Sequence, residues 1–185
     1  MKTFNRKSAS TLSRTRAQRG NAVLFTLLAM VIGGVVVAVG VAQYQDADRS
    51  ATVQSTVAEI NSIIGNTKQN YGQYSYAGLT TPVAVGSRVI PEALQATATT
   101  ANNKFGGAIE LKEPSAGSGT ALLSYAGVPR ELCTSIVNGT QGMAQTIKVG
   151  TSSVKSVGSP VSMGNLNTGC TAAATVTISW EFGRS

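Results

Sequence analysis

The chain has 185 residues with 15 Lys and Arg, 8 Asp and Glu, two cysteines and no histidine, and its formal net charge is +7. The first 20 residues hold six of these bases and none of the acids, so the remainder is close to neutral. The composition therefore argues against a basic surface for nucleic acid. The chain also lacks histidine, the side chain that most often serves as general base and metal ligand. We therefore predict no enzymatic activity, cofactor or metal.

Residues 1–20 form a polar, basic leader, and the uncharged segment 22–42 follows it. A helix over those 21 residues would be about 30 Å long, which matches the hydrocarbon core of a bilayer. The basic leader should stay in the cytoplasm while the rest of the chain is exported. An ordinary signal peptide is cleaved after its apolar segment. Here the small residue, Gly20, comes before that segment, so cleavage would leave the apolar helix on the mature protein.

Glycines 33, 34 and 40 interrupt the apolar segment, and each costs about 1 kcal/mol of helix propensity relative to Ala. They could permit close contact between helices, as small residues do in membrane bundles. They could also let the helix loosen on assembly, or be glycines that a simple membrane anchor tolerates.

The helix is predicted to continue to about residue 75, because apolar side chains recur at steps of three and four from Val53 to Tyr74. Residues 43–75 would thus be amphipathic, with one face covered by a globular domain. The predicted organisation is a leader, 1–20; a long helix, 21–75, with an apolar half (22–42) and an amphipathic half (43–75); and a globular head, 76–185.

The head alternates short apolar runs with turn residues. We predict strands at 108–111, 121–125, 143–149 and 174–182, the last with strict alternation of apolar and polar side chains. A short helix is predicted from Pro91 to Ala98. A second is predicted to begin at Pro129 and to end at Asn138-Gly139. Trp180 is expected in the core.

Cys133 and Cys170 both lie in the exported part of the chain. An even number of cysteines outside the cytoplasm favours a disulfide, and the alternative is two buried free thiols. The spacing does not support a metal site. Glu110 and Glu113 are expected to be solvated surface charges. Lys148 and Lys155 match no Ser–Lys motif, and Asn138-Gly139-Thr140 reads more plainly as a turn than as a glycosylation site.

Three features together resemble type IV pilins: the leader ending in Arg19-Gly20, the apolar helix that follows, and two late cysteines. The block FGGAIEL at 105–111, followed by SYAGVPRELCTSIV at 124–137, resembles the type IVb branch, and within it the conjugative thin-pilus subunits. In that branch an aromatic-Gly-Gly strand precedes a Val-Pro helix that carries the first cysteine.

The resemblance implies an α+β fold in which a long protruding N-terminal helix packs on the antiparallel sheet of a globular domain. It implies cleavage by a prepilin peptidase between Gly20 and Asn21, and methylation of the new N-terminus at Asn21. The precursor would sit in the bacterial inner membrane, where the pilus assembly machinery would add it to an extracellular filament of identical subunits. A disulfide between Cys133 and Cys170 would join the C-terminal region to the helix that starts at Pro129. The helix residues implied in assembly are Phe25, Leu27, Leu28, Val31, Gly33 and Gly34.

One departure affects the role within a filament. The fifth mature residue is Phe25, where most major pilins have a glutamate that is thought to neutralise the terminal amine of a neighbouring subunit. This leaves a minor pilin or pseudopilin, which initiates or caps a pilus or a type II secretion filament, as the first alternative. The second is a membrane-anchored enzyme or binding protein with an uncleaved signal anchor. Adhesion, conjugation and DNA uptake are not distinguished.

Overall fold

The computed structural model describes the backbone of residues 18–73 and 75–183, and the side-chain surroundings of residues 23–32, 46–73 and 75–183. The chain divides into two units, Met1–Asp48 and Arg49–Ser185. The division falls inside the first helix, so each unit is described by itself. Residues 1–17 of the predicted leader, 1–20, lie outside the described residues.

The first helix, α1, runs Gln18–Tyr71, close to the predicted 21–75. In the second unit its apolar stripe is buried: Ile60, Ile63 and Ile64 are all fully inaccessible to solvent. Their spacing of three and four places them on one face, which packs into the core. The helix ends at Tyr71, four residues before the predicted end, and the Gly72 amide donates to the carbonyl of Lys68 at 2.8 Å.

Six antiparallel strands form one sheet in the order β1-β2-β3-β6-β4-β5. The strands are β1 (Ala101–Asn102), β2 (Ala108–Lys112), β3 (Thr120–Pro129), β4 (Thr146–Val149), β5 (Ser152–Lys155) and β6 (Thr175–Gly183). The predicted alternation of the last strand is confirmed, because Val176, Ile178, Trp180 and Phe182 of β6 are buried. The sheet and the second half of α1 thus share one core, as an α+β fold requires.

The strands at the two edges of the sheet are covered by hydrogen bonds from outside it. On β5, the carbonyl of Val154 accepts from the amide of Ser162 at 2.8 Å, and that of Ser153 accepts from Asn165 Nδ2 at 2.8 Å. On β2, beyond the end of the short β1, the Leu111 amide donates to Thr81 Oγ1 at 3.1 Å. These three backbone groups are therefore not open to pairing with another strand.

Three further helices surround the sheet: α2 (Thr81–Gly86), α3 (Arg130–Thr140) and α4 (Met163–Thr171). The helix predicted over 91–98 is wrong, because only Glu92–Leu94 forms a 3-10 turn. At Gln95 the backbone becomes extended (φ −77°, ψ 115°), and the Gln95 side chain donates to the Ile90 carbonyl at 3.0 Å. The sequence analysis did not predict four of the elements, which are α2, α4, β1 and β5.

The end of α3 also differs from expectation. The helix continues through Asn138-Gly139 to Thr140 instead of stopping there. The reason is packing: a Cβ on Gly139 would lie 2.7 Å from Val57 Cγ2 of α1. Glycine at this position allows α3 to approach α1 closely, so it acts as a contact residue within the helix.

The centre of the core is Trp180, as predicted. Its ring is fully buried and meets Tyr125 edge-on, with ring centroids 6.4 Å apart. The indole Nε1 donates to Thr140 Oγ1 at 2.8 Å, and that hydroxyl donates to the Ile136 carbonyl at 2.8 Å. The buried polar atoms of this contact are satisfied, which removes the cost of placing an indole N–H in the interior.

Candidate functional site

The first unit presents a run of apolar side chains with no protein covering them. Eight side chains are 55–78% exposed: Val23, Leu24, Phe25, Leu27, Leu28, Met30, Val31 and Ile32. Burying such surface is worth about 25 cal/mol per Å², and continuous apolar patches of this kind mark sites of association. This part of α1 can therefore gain stability by contact with other apolar surfaces.

Four of the residues predicted for assembly, Phe25, Leu27, Leu28 and Val31, belong to this exposed run. The backbone at the other four predicted positions (Gly20, Asn21, Gly33 and Gly34) is helical, within α1. The side-chain surroundings of those four positions lie outside the described residues.

The predicted membrane segment, 22–42, is described in its side-chain surroundings only from residue 23 to residue 32. Within the part of the chain that the structure describes, no helix meets the length and hydropathy needed to cross a bilayer.

The disulfide is confirmed. Cys133 of α3 is bonded to Cys170 of α4, with Cα atoms 5.7 Å apart and a separation of 37 positions in sequence. Both residues are buried in the core. The bond joins the two helices on the C-terminal side of the head and excludes the alternative of free thiols.

The turn between β1 and β2 depends on Asn103 and on the glycines of the FGG block. Asn103 Oδ1 accepts from the amides of Phe105 at 2.9 Å and Gly107 at 3.0 Å, and its Nδ2 donates to the Ala126 carbonyl at 2.6 Å. A Cβ on Gly107 would fall 1.9 Å from that carbonyl oxygen. The block that resembles thin-pilus subunits therefore packs backbone against backbone, beside the irregular register of β3 between Tyr125 and Val128.

This turn carries Lys104 onto the second half of α1. Lys104 Nζ donates to the Thr52 carbonyl at 2.9 Å and also to Ser55 Oγ. One turn further along the helix, Glu59 accepts a hydrogen bond from the Tyr125 hydroxyl. We call these five residues the polar clamp, because they tie α1 to the head through side chains from β3 and from the β1–β2 turn.

The polar clamp contains two perturbed groups. Burial raises the pKa of Glu59 above its ordinary value, and the nearby charge of Lys104 opposes that shift. Burial likewise lowers the pKa of Lys104, opposed by the charge of Glu59. The acid and the base therefore stabilise each other's charge while both lose hydration. Sequence reasoning missed this pair, because no pattern relates residues 45 positions apart.

Contacts within the head also involve Glu110, Glu113 and Tyr76. Glu110 pairs with Lys112 at 3.2 Å on the surface, while Glu113 accepts from the Gly117 amide at 2.9 Å, so the two acids do not converge. Tyr76 is buried edge-on against Phe182; Tyr74 lies outside the described residues. Among the residues that the structure describes, no group of His, Cys, Asp or Glu has the arrangement of a metal site.

Residues 49–181 match the family described as PilS N terminal. Among solved structures, TcpA, a type IV pilin from Vibrio cholerae El Tor biotype, is similar with a TM-score of 0.49 and 17% sequence identity, over 70% of this chain and 97% of that one. No curated protein sequence matches the chain.

Proposed function

The chain belongs to the PilS N-terminal family, a family of type IV pilin-like proteins, and on that premise we propose that it is a structural subunit that polymerises into an extracellular type IV pilus. The observation that carries the proposal is the exposed apolar run from Val23 to Ile32. Before assembly, lipid would solvate this part of α1. After extraction, the same helices of other subunits would take the place of lipid, since apolar surface has no stable alternative in water.

The maturation route follows from the start of the sequence. The leader carries Lys and Arg without a single acid, which favours a precursor held in the inner membrane with its leader in the cytoplasm. We infer that a prepilin peptidase cuts between Gly20 and Asn21 and that the amine of Asn21 is then methylated. The inner-membrane assembly machinery would receive the mature subunit.

The head would form the outer shell of the filament and carry no enzymatic activity. Its FGG block and the Val-Pro sequence before α3 support placing it in the type IVb branch, with conjugation as the associated process. The close packing of Gly107 on the Ala126 carbonyl explains why this block has glycine at position 107. Adhesion is a further role that such a shell could serve.

A second role, that of a minor pilin or pseudopilin, is favoured by one observation. Phe25 is 70% exposed and apolar, at the position where a glutamate would pair with a neighbour's terminal amine. A subunit without that carboxylate cannot neutralise a buried amine in this way, and an unpaired buried charge is costly. Such a subunit could occupy a filament end, where the amine is not enclosed.

Mass spectrometry and electron microscopy of sheared surface material test both roles. We expect a chain that begins at Asn21 with a methylated amine and that forms the bulk of the filaments. Gly20→Val should leave the leader attached and abolish filaments, whereas Gly65→Ala, on an exposed and uncrowded part of α1, should leave maturation unchanged. A mature chain present at a few copies per filament would favour the minor role, and normal filaments from the Gly20 variant would contradict the proposal.

A further inference from the structure

The head has a groove between α1 and α3 whose lining is not used by any contact described above. Its volume is about 430 Å³. Its lining consists of Arg49, Ser50, Val53 and Gln54 from α1 and Glu131, Leu132 and Ser135 from α3. The floor is apolar, because Val53 is half-buried and Leu132 is 8% exposed.

The two charged residues of the groove, Arg49 and Glu131, are exposed and have opposite signs. Their side chains make no hydrogen bond or ion pair with any residue that the structure describes. The groove is thus an apolar floor with one free cation and one free anion at its rim.

A second surface of the same head has the matching chemistry. The segment from α2 through the 3-10 turn exposes Val83, at 44%, together with Arg88 and Glu92. The two charged side chains likewise have no hydrogen bond or ion pair to the residues in the described part of the chain. We call this the α2 surface: one apolar side chain accompanied by one cation and one anion.

Arg88 is also held in an unusual backbone conformation. Its φ is 57°, and among the described residues it is the one non-glycine residue with a positive φ. Arg88 follows the end of α2, where helices commonly terminate with a residue in this left-handed conformation. The turn is closed by the amide of Arg88, which donates to the Val85 carbonyl at 3.0 Å, and by the amide of Val89, which donates to the Ala84 carbonyl at 3.0 Å. These backbone bonds fix the position of Arg88, and its guanidinium, which has no partner within the described head, can contact a partner outside it.

We propose that the α2 surface of one copy of this chain docks into the α1–α3 groove of a second copy. Val83 would cover the floor formed by Val53 and Leu132, Arg88 would face Glu131, and Glu92 would face Arg49. The charges set the orientation of the contact, and the apolar residues provide its buried area. The surfaces differ, so the contact is heterologous and can repeat from copy to copy along an open filament. This inference rests on the proposed function and specifies how neighbouring heads meet in the filament.

Cysteine cross-linking of the full chain in assembled filaments tests the contact. Val83→Cys combined with Ser135→Cys, on the groove wall, places thiols on the two surfaces while the native disulfide stays intact. Oxidation, or a short bismaleimide, should convert sheared filaments into a ladder of dimers, trimers and longer covalent multimers. The control pair, Val83→Cys with Ser153→Cys on exposed β5, should give monomers. Wild-type-like filaments that yield no ladder, or that yield dimers alone, would overturn the inference and leave the proposed function standing.

Charge reversal tests the orientation. Arg88→Glu and Glu131→Lys should each lower filament yield roughly tenfold, because each places like charges opposite one another. The double variant restores an opposite pair at every contact and should recover most of the yield. Lys148→Glu, an equal charge change on the open face of the sheet, should have no effect. Failure of the double variant to recover filaments, with each single variant folded, would contradict the contact.

Arg88→Gly separates assembly from folding. Glycine adopts a positive φ without strain, so the head of this variant should melt at the same temperature as the wild type or higher. Its filament yield should nevertheless fall. A lower melting temperature with unchanged filament yield would assign Arg88 a purely structural role and refute the proposal. If the wild-type chain forms no filaments at all, the proposed function fails and this inference fails with it.

Discussion

Gly139 of α3 lies directly against Val57 of α1, so close that a Cβ at position 139 would come within 2.7 Å of Val57 Cγ2. The contact joins α1 to α3, the helix that carries Cys133. Both partners belong to the second unit, and their approach depends on the absence of one methyl group.

Gly139→Ala should therefore destabilise the head. The added methyl forces α3 or the Val57 side chain to move, and overpacking of this kind costs about 1–3 kcal/mol. Gly65→Ala is the matched control, because its Cβ meets nothing within 4 Å and alanine favours the helix by up to about 1 kcal/mol. Thermal unfolding of the full chain in detergent measures both. If Val57→Ala fails to rescue Gly139→Ala, the steric explanation is wrong.

The pH dependence of stability should reveal Glu59. Burial raises its folded-state pKa above the reference value of 4.5, so the native state prefers the protonated carboxyl. The corresponding stability is fully present below pH 4.5 and is lost as pH rises through the folded-state pKa.

Urea unfolding midpoints measured from pH 4 upward should thus fall more steeply for the wild type than for Glu59→Gln, which cannot ionise. Glu110→Gln removes an exposed acid and should leave the wild-type slope unchanged. If the urea midpoints of the wild type and Glu59→Gln change equally with pH, the ionisation of Glu59 does not contribute to the pH dependence of stability.

Lys104→Met should weaken the contact that the β1–β2 turn makes with α1 near Thr52 and Ser55. The change removes the hydrogen bonds to the Thr52 carbonyl and to Ser55, each worth about 1 kcal/mol. Amide exchange should accelerate around residues 52–58 and remain slow at 60–67, where the helix is held by buried isoleucines. Lys112→Met, which removes an exposed ion pair, is the control. Equal acceleration along the whole second half of α1 would contradict a local effect.

Loss of the disulfide should cost much of the head's stability. Opening a loop whose ends are 37 positions apart is worth about 4 kcal/mol on the chain-entropy account. Cys133→Ser and Cys170→Ser should lower the urea midpoint to the same extent as each other, and the double variant should fall no further. Additive losses would mean that the serines disturb packing rather than remove a cross-link.

The elements predicted correctly are those with strong periodicity. The steps of three and four along α1 and the alternation of β6 each require one specific buried face, and the structure has both. The cysteine pair was also accessible, since the sequence placed both residues on the exported side and supplied no metal-binding pattern. The exposed Phe25, Leu27, Leu28 and Val31 follow from the same apolar run.

What the sequence could not show depends on contacts between distant segments. The polar clamp joins residues from α1, the β1–β2 turn and β3, and only the registration of those elements brings Glu59 near Lys104. The sequence predicts a helix end at Gly139, because glycine is common there, whereas the structure shows that Gly139 packs against Val57 within the helix. One missed signal was local: Thr80-Thr81-Pro82 has proline at the first turn of α2, a position that proline favours.

The hydrogen bonds that Ser162, Asn165 and Thr81 make to the outer strands have a consequence for crowded conditions. A subunit that accumulates at high local density before use is exposed to edge-to-edge strand pairing, the route by which β-rich proteins form cross-β aggregates. Here the edge carbonyls of Ser153 and Val154 and the Leu111 amide are already occupied. At these positions the heads of crowded neighbours cannot extend one another's sheets.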